Sequence, residues 1–225
     1  MADSRLLYYI TDRTAFGADE PTRRRYLLEK IAEAARAGVD YIQLREKDLV
    51  TRDLEVLARD AVGVLNQLRA ERKEARTAFL INSRSDVAMA AGADGVHLRS
   101  EDLTPGEVRA VWEKRGASAH GSFPGNPLIG ASCHSAAEVT EAAEGGATFA
   151  VFAPVFEKKD IPDMQPKGLV ELHAACKASI PVLALGGITL KNAKVCFDAG
   201  AAGIAAIRLF QENDVAEIVK QLRGL

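Results

Sequence analysis

A repeated helix-to-strand junction is the feature that most constrains the fold of this sequence. The segments AGVDYI, AGADGV, GGATFA and AGAAGI place Gly38, Gly92, Gly146 and Gly200 at a constant spacing of 54 residues. An amphipathic run precedes each glycine, and a short apolar run follows it. A glycine in this position is typical of a helix C-terminus, and the apolar run is typical of a buried parallel strand.

The length of the repeat sets the number of structural units. A strand, a helix and their loops occupy about 27 residues in a barrel of ordinary size, so each interval holds two such units. Four repeats therefore predict eight strands and eight helices, which make a single TIM barrel, a (β/α)8 domain, over residues 1–225. The alternative is that similar Ala/Gly-rich helix ends align by chance.

Apolar runs and helical periodicity give the individual elements. The predicted strands are Leu6–Ile10, Tyr41–Leu44, Phe79–Ile81, Gly95–Leu98, Leu128–Ser132, Phe149–Phe152, Val182–Leu185 and Gly203–Ile207. The predicted helices are Arg24–Ala37, Asp53–Leu68, Thr104–Arg115, Ala136–Glu144, Gly168–Lys177, Leu190–Ala199 and Val215–Leu222. Residues 116–127 are expected to be a tolerated insertion, and residues 157–167 a mobile substrate lid.

Composition narrows the class of protein. The 225 residues are 48% hydrophobic with a formal net charge of −2, which predicts a large core and no nucleic-acid partner. We expect a cytoplasmic protein without a membrane partner, because no apolar run has the length of a membrane span and MADSRLLYYI lacks a signal-peptide core. Cys133, Cys176 and Cys196 lack paired metal-ligand spacing and are expected to be reduced thiols. A homo-oligomer is left open.

Polar residues follow nearly every predicted strand. Enzymes with this fold work from the C-terminal ends of their strands, so these residues are the candidates for a site. In strand order they are Thr11 and Asp12, residues 45–48, residues 82–84, His97 and Asp102, residues 132–134, Lys158 and Lys159, Gly186 and Gly187, and Arg208. Strand-end ion pairs remain an alternative for each of them.

Two places at this mouth are suited to anions. After strands seven and eight, Gly186, Gly187 and the backbone after Ile207 predict a phosphate cradle made by amide groups. On the opposite side, Gln43, Arg45 and Lys47 alternate along one strand and share a face, which predicts a second anion site. The alternative is that the charged residues 45–48 pair among themselves as a solvated rim.

Six segments at these strand ends carry a family resemblance. They are YITD at 9–12, QLREKD at 43–48, LIN at 80–82, GADGVHL at 92–98, GASCH at 130–134 and LGGI at 185–188. In this order they resemble the motifs of the thiamine phosphate synthase/TenI family, over nearly the whole chain. The resemblance implies an enzyme of thiamin biosynthesis that binds a phosphorylated thiazole.

Two reactions occur in this family. The synthase joins hydroxymethylpyrimidine diphosphate to a thiazole phosphate with Mg²⁺ and releases diphosphate, whereas TenI-type tautomerases aromatise a thiazole carboxylate phosphate without a cofactor. The resemblance implies that the pyrimidine and diphosphate are bound by Gln43, Arg45, Lys47, Asn82 and Ser132, with Asp102 as a metal ligand. It implies that the thiazole phosphate is bound by Gly186, Gly187, Ile207 and Arg208, where Arg208 replaces a serine of the synthase.

Departures from the synthase motifs favour the tautomerase. Ser83 stands where the synthase has a metal-binding aspartate, and Val155-Phe156-Glu157 resembles TenI more than the synthase. The tautomerase is therefore our main expectation, with His134 and Lys159 as catalytic groups, because a histidine at a strand end suits proton transfer.

Several alternatives stay open. The synthase is the first, a non-catalytic sensor of thiazole phosphate or thiamine phosphate is the second, and a purely structural hydrogen bond is the alternative for His134. His97 is expected to pack inside the barrel, and His120 and His173 to lie on the surface. For the synthase alternative, Lys158, Lys159 and Arg99 are expected to neutralise the diphosphate without a full magnesium site.

Overall fold

Eight parallel strands close into a barrel in the order of the sequence, with β8 pairing back to β1. This computed structural model describes residues 5–17, 19–71, 77–114, 126–157 and 165–225. The strands are β1 (Leu6–Ile10), β2 (Tyr41–Leu44), β3 (Ala78–Asn82), β4 (Gly95–Leu98), β5 (Leu128–Cys133), β6 (Phe149–Phe152), β7 (Val182–Ala184) and β8 (Gly203–Ala206).

Helices cover the barrel between the strands. They are α1 (Glu20–Ala37), α2 (Thr51–Glu71), α3 (Ser85–Ala91), α4 (Pro105–Lys114), α5 (Ala136–Glu144), α6 (Gly168–Ala175), α7 (Leu190–Asp198), α8 (Arg208–Gln211) and α9 (Val215–Gly224). No helix within the described ranges has the length and apolarity to cross a membrane.

The predicted (β/α)8 barrel is confirmed, and four strands have the predicted bounds. The strands β5, β7 and β8 differ by one residue at the C-terminal end, and β3 is one residue longer at each end. Helices α3 and α8 were not predicted, because segments of seven and four residues are too short to show helical periodicity. The single-domain assignment of residues 1–225 stays a prediction. Most of the proposed insertion at 116–127 and of the proposed lid at 157–167 lies outside the described residues.

The repeated glycines end α1, α3, α5 and α7. Gly38, Gly92, Gly146 and Gly200 all have positive φ, between 75° and 102°. At each one the next amide donates to a helix carbonyl five residues earlier, as from Val39 N to Ala34 O at 3.1 Å. This is the Schellman ending, in which glycine avoids the strain of a left-handed backbone. The repeat is therefore a helix-ending device in every second β/α unit.

Aromatic rings fill the inside of the barrel. The Tyr41 ring stacks on Phe149 with centroids 4.9 Å apart, and Tyr8 meets Phe149 edge-on at 5.4 Å. A Cβ atom on Gly130 would lie 2.5 Å from the Phe149 ring and 2.7 Å from His97 Nδ1. The absence of a side chain on β5 thus makes room for the imidazole of His97, which is packed inside as expected.

Candidate active site at the C-terminal mouth

Inward-facing polar side chains from β2 to β5 meet just inside the C-terminal end of the barrel. Asn82 of β3 is level with His97 of β4 in the strand register. The Gln43 Nε2 group donates to Asn82 Oδ1 at 2.9 Å, and His97 Nε2 lies 2.9 Å from Ser132 Oγ. The structure therefore brings together three of the predicted substrate-binding residues, Gln43, Asn82 and Ser132, in one layer.

Gln43 holds a buried acceptor that has no donor. The residue is 1% exposed, and its Oε1 atom has no hydrogen-bond partner among the described residues. An unpaired buried carbonyl of this kind costs roughly 1–3 kcal/mol. Asn82 fixes the other end of the amide, so a ligand with an N–H group is suited to this position.

Arg45 follows Gln43 along the same face and is half-buried. Its guanidinium makes no hydrogen bond or ion pair with a side chain of the described residues. Burial lowers the pKa of Arg45, and the charge of Arg99 lowers it further against the opposing charges of Asp12 and Glu46. A bound anion would relieve both effects, as expected for an anion site.

Arg13 is a buried arginine that the sequence did not indicate. It is 2% exposed, and its guanidinium contacts Asp48 at 2.6 Å, Glu46 at 3.3 Å and Glu20 at 2.9 Å. Glu46 and Asp48 are thus held by Arg13, so the proposed self-paired rim of residues 45–48 does not describe these two carboxylates. In an extended segment, alternate side chains point to opposite sides, so Glu46 and Asp48 lie on the other side of the chain from Arg45 and Lys47. This alternation is the sequence signal for the difference.

Arg99 occupies the position between Ser83 and Asp102. Its Nε donates to Ser83 Oγ at 2.8 Å, its backbone amide to Asp102 Oδ2 at 2.7 Å, and its Nη2 to Asp102 Oδ1 at 3.1 Å. Burial raises the pKa of Asp102, but hydrogen bonds from Arg99 and Ser83 outweigh it and lower the pKa overall. Ser83 has φ of 61°, a strained backbone for a non-glycine residue, of the kind that collects at functional sites.

These residues do not fit a magnesium ion. Mg²⁺ needs free oxygen ligands in octahedral geometry, whereas N–H groups of Arg99 occupy all three oxygens here. The guanidinium contacts Asp102 Oδ1 and the Ser83 hydroxyl, and the backbone amide of Arg99 contacts Asp102 Oδ2. Within the described part of the chain, no group of three or more His, Cys, Asp or Glu residues could hold a metal. The assignment of Asp102 as a metal ligand stays a prediction that this arrangement does not support.

His134 extends β5 at the mouth, two residues after Ser132, and is exposed. Its Nδ1 atom lies 2.7 Å from Ala153 O. A carbonyl oxygen can only accept, so Nδ1 carries the proton and the Nε2 atom of the neutral ring keeps a lone pair. His134 therefore makes a hydrogen bond to the backbone through Nδ1 and still presents the lone pair of Nε2. Lys159, the other predicted catalytic residue, and Lys158 lie outside the described residues.

The two glycines of the proposed phosphate cradle are required by packing against the neighbouring loop, and not only by close approach of a ligand. Gly186 and Gly187 have φ of 102° and 64°. A Cβ on Gly186 would lie 2.8 Å from Pro154, and one on Gly187 would lie 2.8 Å from Phe156 Cβ, so the loop after β6 excludes side chains here.

On the neighbouring strand, Ile207 precedes the short helix α8, which begins at the exposed Arg208. Among the described residues, no side chain caps the N-terminus of α8. Its first amide groups are therefore left without the usual side-chain acceptor. The cradle and the role of Arg208 stay predictions.

The sequence and the fold agree with one group of known proteins. Residues 7–210 match the family model described as thiamine monophosphate synthase. A putative thiamine-phosphate synthase of Geobacter sulfurreducens is 40% identical over 222 residues, covering 97% of this chain and 93% of that protein. The putative thiamine-phosphate synthase 2 of Aquifex aeolicus is 38% identical over 209 residues, covering 92% and 97%.

A solved structure extends the agreement to the fold. The thiamine phosphate pyrophosphorylase of Pyrococcus furiosus has 31% sequence identity and a TM-score of 0.75, covering 98% of this chain and 94% of that chain. The family resemblance found in the strand-end motifs is confirmed. The names of these relatives agree with the synthase reaction, our first alternative, better than with the tautomerase that we expected.

Proposed function

Because this chain belongs to the thiamine monophosphate synthase family, we propose that it joins hydroxymethylpyrimidine diphosphate to a thiazole phosphate and releases diphosphate. At the coarser level of the family it is an enzyme of thiamine biosynthesis. The observation that carries the finer proposal is the unpaired Gln43 Oε1 atom. The aminopyrimidine ring brings an N–H donor, whereas an aromatic thiazole has none.

Pyrimidine recognition follows from the orientation of one amide. Asn82 Oδ1 accepts from Gln43 Nε2 at 2.9 Å, which leaves Oε1 as the free end of the group. An exocyclic amino group bound there would satisfy the buried acceptor and would reject analogues that lack it. Discrimination of this type is strong, because the wrong ligand leaves the protein group unpaired.

The diphosphate would lie against Arg45, Arg99 and Ser132. The reaction forms a C–N bond to the thiazole nitrogen and breaks the C–O bond to diphosphate, so negative charge grows on the leaving group. Guanidinium groups bind such oxygens through paired hydrogen bonds, and fixed donors at this point stabilise the transition state. Asp102 and Ser83 hold Arg99 in place.

The thiazole phosphate would bind on the other side of the mouth. The N-terminus of α8, which no side chain of the described residues caps, supports this placement, since backbone N–H groups are suited to phosphate. The two anions would then approach each other from opposite sides of the barrel. His134 lies at the end of β5, between the strands β2 to β4 of the proposed pyrimidine site and the strands β7 and β8 of the proposed thiazole phosphate site.

A pair of glutamine variants tests the pyrimidine site. Gln43→Met should weaken binding of hydroxymethylpyrimidine diphosphate by roughly tenfold and leave binding of thiazole phosphate unchanged, because only one ligand uses Oε1. Gln67→Met, on the exposed side of α2, is the control. Calorimetry measures both affinities. Equal affinities for the pyrimidine in wild type and Gln43→Met would refute this site.

Turnover with both substrates tests the reaction itself. Thiamine phosphate and diphosphate should appear in equal amounts, and the assay is run with magnesium and with a chelator. If both ligands bind and no product forms, the result would support a non-catalytic sensor instead. If hydroxymethylpyrimidine diphosphate does not bind, the result would refute the proposed synthase reaction.

The tautomerase is kept as the second candidate because of two observations. Arg99 holds Asp102 and Ser83 where a metal would need free oxygens, and His134 presents a lone pair at Nε2. With a thiazole carboxylate phosphate as substrate, His134→Asn should slow aromatisation by roughly 100-fold and preserve ligand binding. Absorbance of the aromatic product follows the rate. An undiminished rate would assign the proton transfer to another group.

A further inference from the structure

A chain of hydrogen bonds runs from the barrel interior to the mouth. The Tyr8 hydroxyl lies 3.2 Å from His97 Nδ1, and His97 Nε2 lies 2.9 Å from Ser132 Oγ. Tyr8 is 0% exposed and His97 is 3% exposed, while Ser132 is half-buried at the end of β5. The three residues come from β1, β4 and β5, and only Ser132 can meet a ligand directly.

The direction of these bonds follows from the number of donors and acceptors. His97 is the only hydrogen-bond partner of the Tyr8 hydroxyl among the described residues. A buried O–H without an acceptor costs free energy, so Tyr8 donates and His97 Nδ1 accepts. Burial, followed by the charge of Arg45, lowers the pKa of His97 to about 3, which keeps the ring neutral near pH 7.

A neutral ring with an accepting Nδ1 atom carries its proton on Nε2. Nε2–H then donates to Ser132 Oγ, so the serine oxygen already has a donor. The Ser132 hydroxyl proton has no acceptor within the described part of the chain. It is left for a ligand at the mouth, where the proposed function places the diphosphate.

We infer that Tyr8 and His97 are positioning residues that hold Ser132 as a hydrogen-bond donor toward an anionic oxygen of the bound diphosphate. This inference rests on the proposed function and adds two residues to it. With the opposite tautomer, Ser132 would donate to His97 and would present oxygen lone pairs to the anion. The buried tyrosine therefore selects for a ligand that accepts hydrogen bonds at this point.

Nuclear magnetic resonance tests the direction of the chain without any ligand. Nitrogen chemical shifts of a ¹⁵N-labelled imidazole distinguish the protonated from the unprotonated ring nitrogen. We expect His97 to carry its proton on Nε2 in the wild type and to lose this strict preference in Tyr8→Phe. A wild-type proton on Nδ1 would overturn the inference, whatever the enzyme is found to catalyse.

Calorimetry with inorganic pyrophosphate in metal-free buffer tests the consequence for binding. Tyr8→Phe should weaken binding by roughly threefold to tenfold, and Ser132→Ala by about tenfold or more. In the Ser132→Ala background Tyr8→Phe should have no further effect, because it acts through the serine. Tyr41→Phe is the matched control, since Tyr41 belongs to the same ring cluster and its hydroxyl makes no hydrogen bond with the described residues.

The conservative variant His97→Gln keeps an N–H group near the position of Nε2 and should retain most of the pyrophosphate affinity, whereas His97→Leu should lose it. Equal effects of Tyr8→Phe and Tyr41→Phe, or additive effects of Tyr8→Phe and Ser132→Ala, would overturn the inference. If wild-type protein failed to bind pyrophosphate, the proposed diphosphate site would fail as well. Pyrophosphate binding with a proton on Nδ1 would overturn the inference alone.

Discussion

Replacing His97 with glutamine should remove part of the acid sensitivity of this fold. Burial holds the pKa of His97 at about 3 in the folded protein, far below the value of about 6.5 expected in the unfolded chain. Between these values the unfolded chain binds a proton that the folded protein does not. The free energy of unfolding therefore falls as the pH drops from about 6.5 toward 3, and the contribution is fully present above that window.

The magnitude follows from the two pKa values. Each pH unit within the window is worth about 1.4 kcal/mol, so a drop from about pH 6 to about pH 4.5 costs about 2 kcal/mol through His97 alone. Glutamine fills much of the same space and does not titrate. Its own cost to stability is the same at both pH values, so it cancels when the two pH values are compared.

Urea unfolding of wild type and His97→Gln at both pH values measures this difference. His173→Gln is the control, because His173 is exposed on α6 and its Nδ1–H donates to the Ala199 carbonyl. We expect wild type and the control to lose about 2 kcal/mol more than His97→Gln on acidification. A difference below about 0.5 kcal/mol, within the error of such measurements, would refute the neutral buried imidazole.

Three further predictions concern residues other than His97. Arg13→Met should lower the free energy of unfolding by about 3 kcal/mol or more, because it leaves a buried carboxylate unpaired; urea unfolding checks this, and a loss under 1 kcal/mol would contradict it. Gly38→Ala should destabilise the protein by about 1 kcal/mol through backbone strain alone, whereas Gly63→Ala, in the open middle of α2, should stabilise it by about 0.5–1 kcal/mol. Arg99→Ala should weaken pyrophosphate binding about tenfold in metal-free buffer, and unchanged affinity by calorimetry would place Arg99 outside the site.

The chain of strands and helices could be predicted because its signals are local. The positive φ of Gly38 and Gly92 is demanded by the helix ending in which each glycine lies. Strand bounds such as Gly95–Leu98 follow from short apolar runs beside polar ones. The same reasoning placed Gln43, Asn82 and Ser132 at one mouth, because all C-terminal strand ends of a parallel barrel lie on one side.

The sequence by itself thus determined the barrel, the side on which the site lies and the family. Only the tertiary structure decided which side chains pair there: Arg13 with Glu46, Arg99 with Asp102, and His97 with both Tyr8 and Ser132. Three of these four pairs join residues that are 33 to 89 apart in sequence, and the two pairs made by His97 join different strands. Their contacts depend on barrel closure and register, which place groups within hydrogen-bond reach without leaving a pattern along the chain. The unpaired Gln43 acceptor is known for the same reason, since only the packed site shows that no donor of the described residues reaches it.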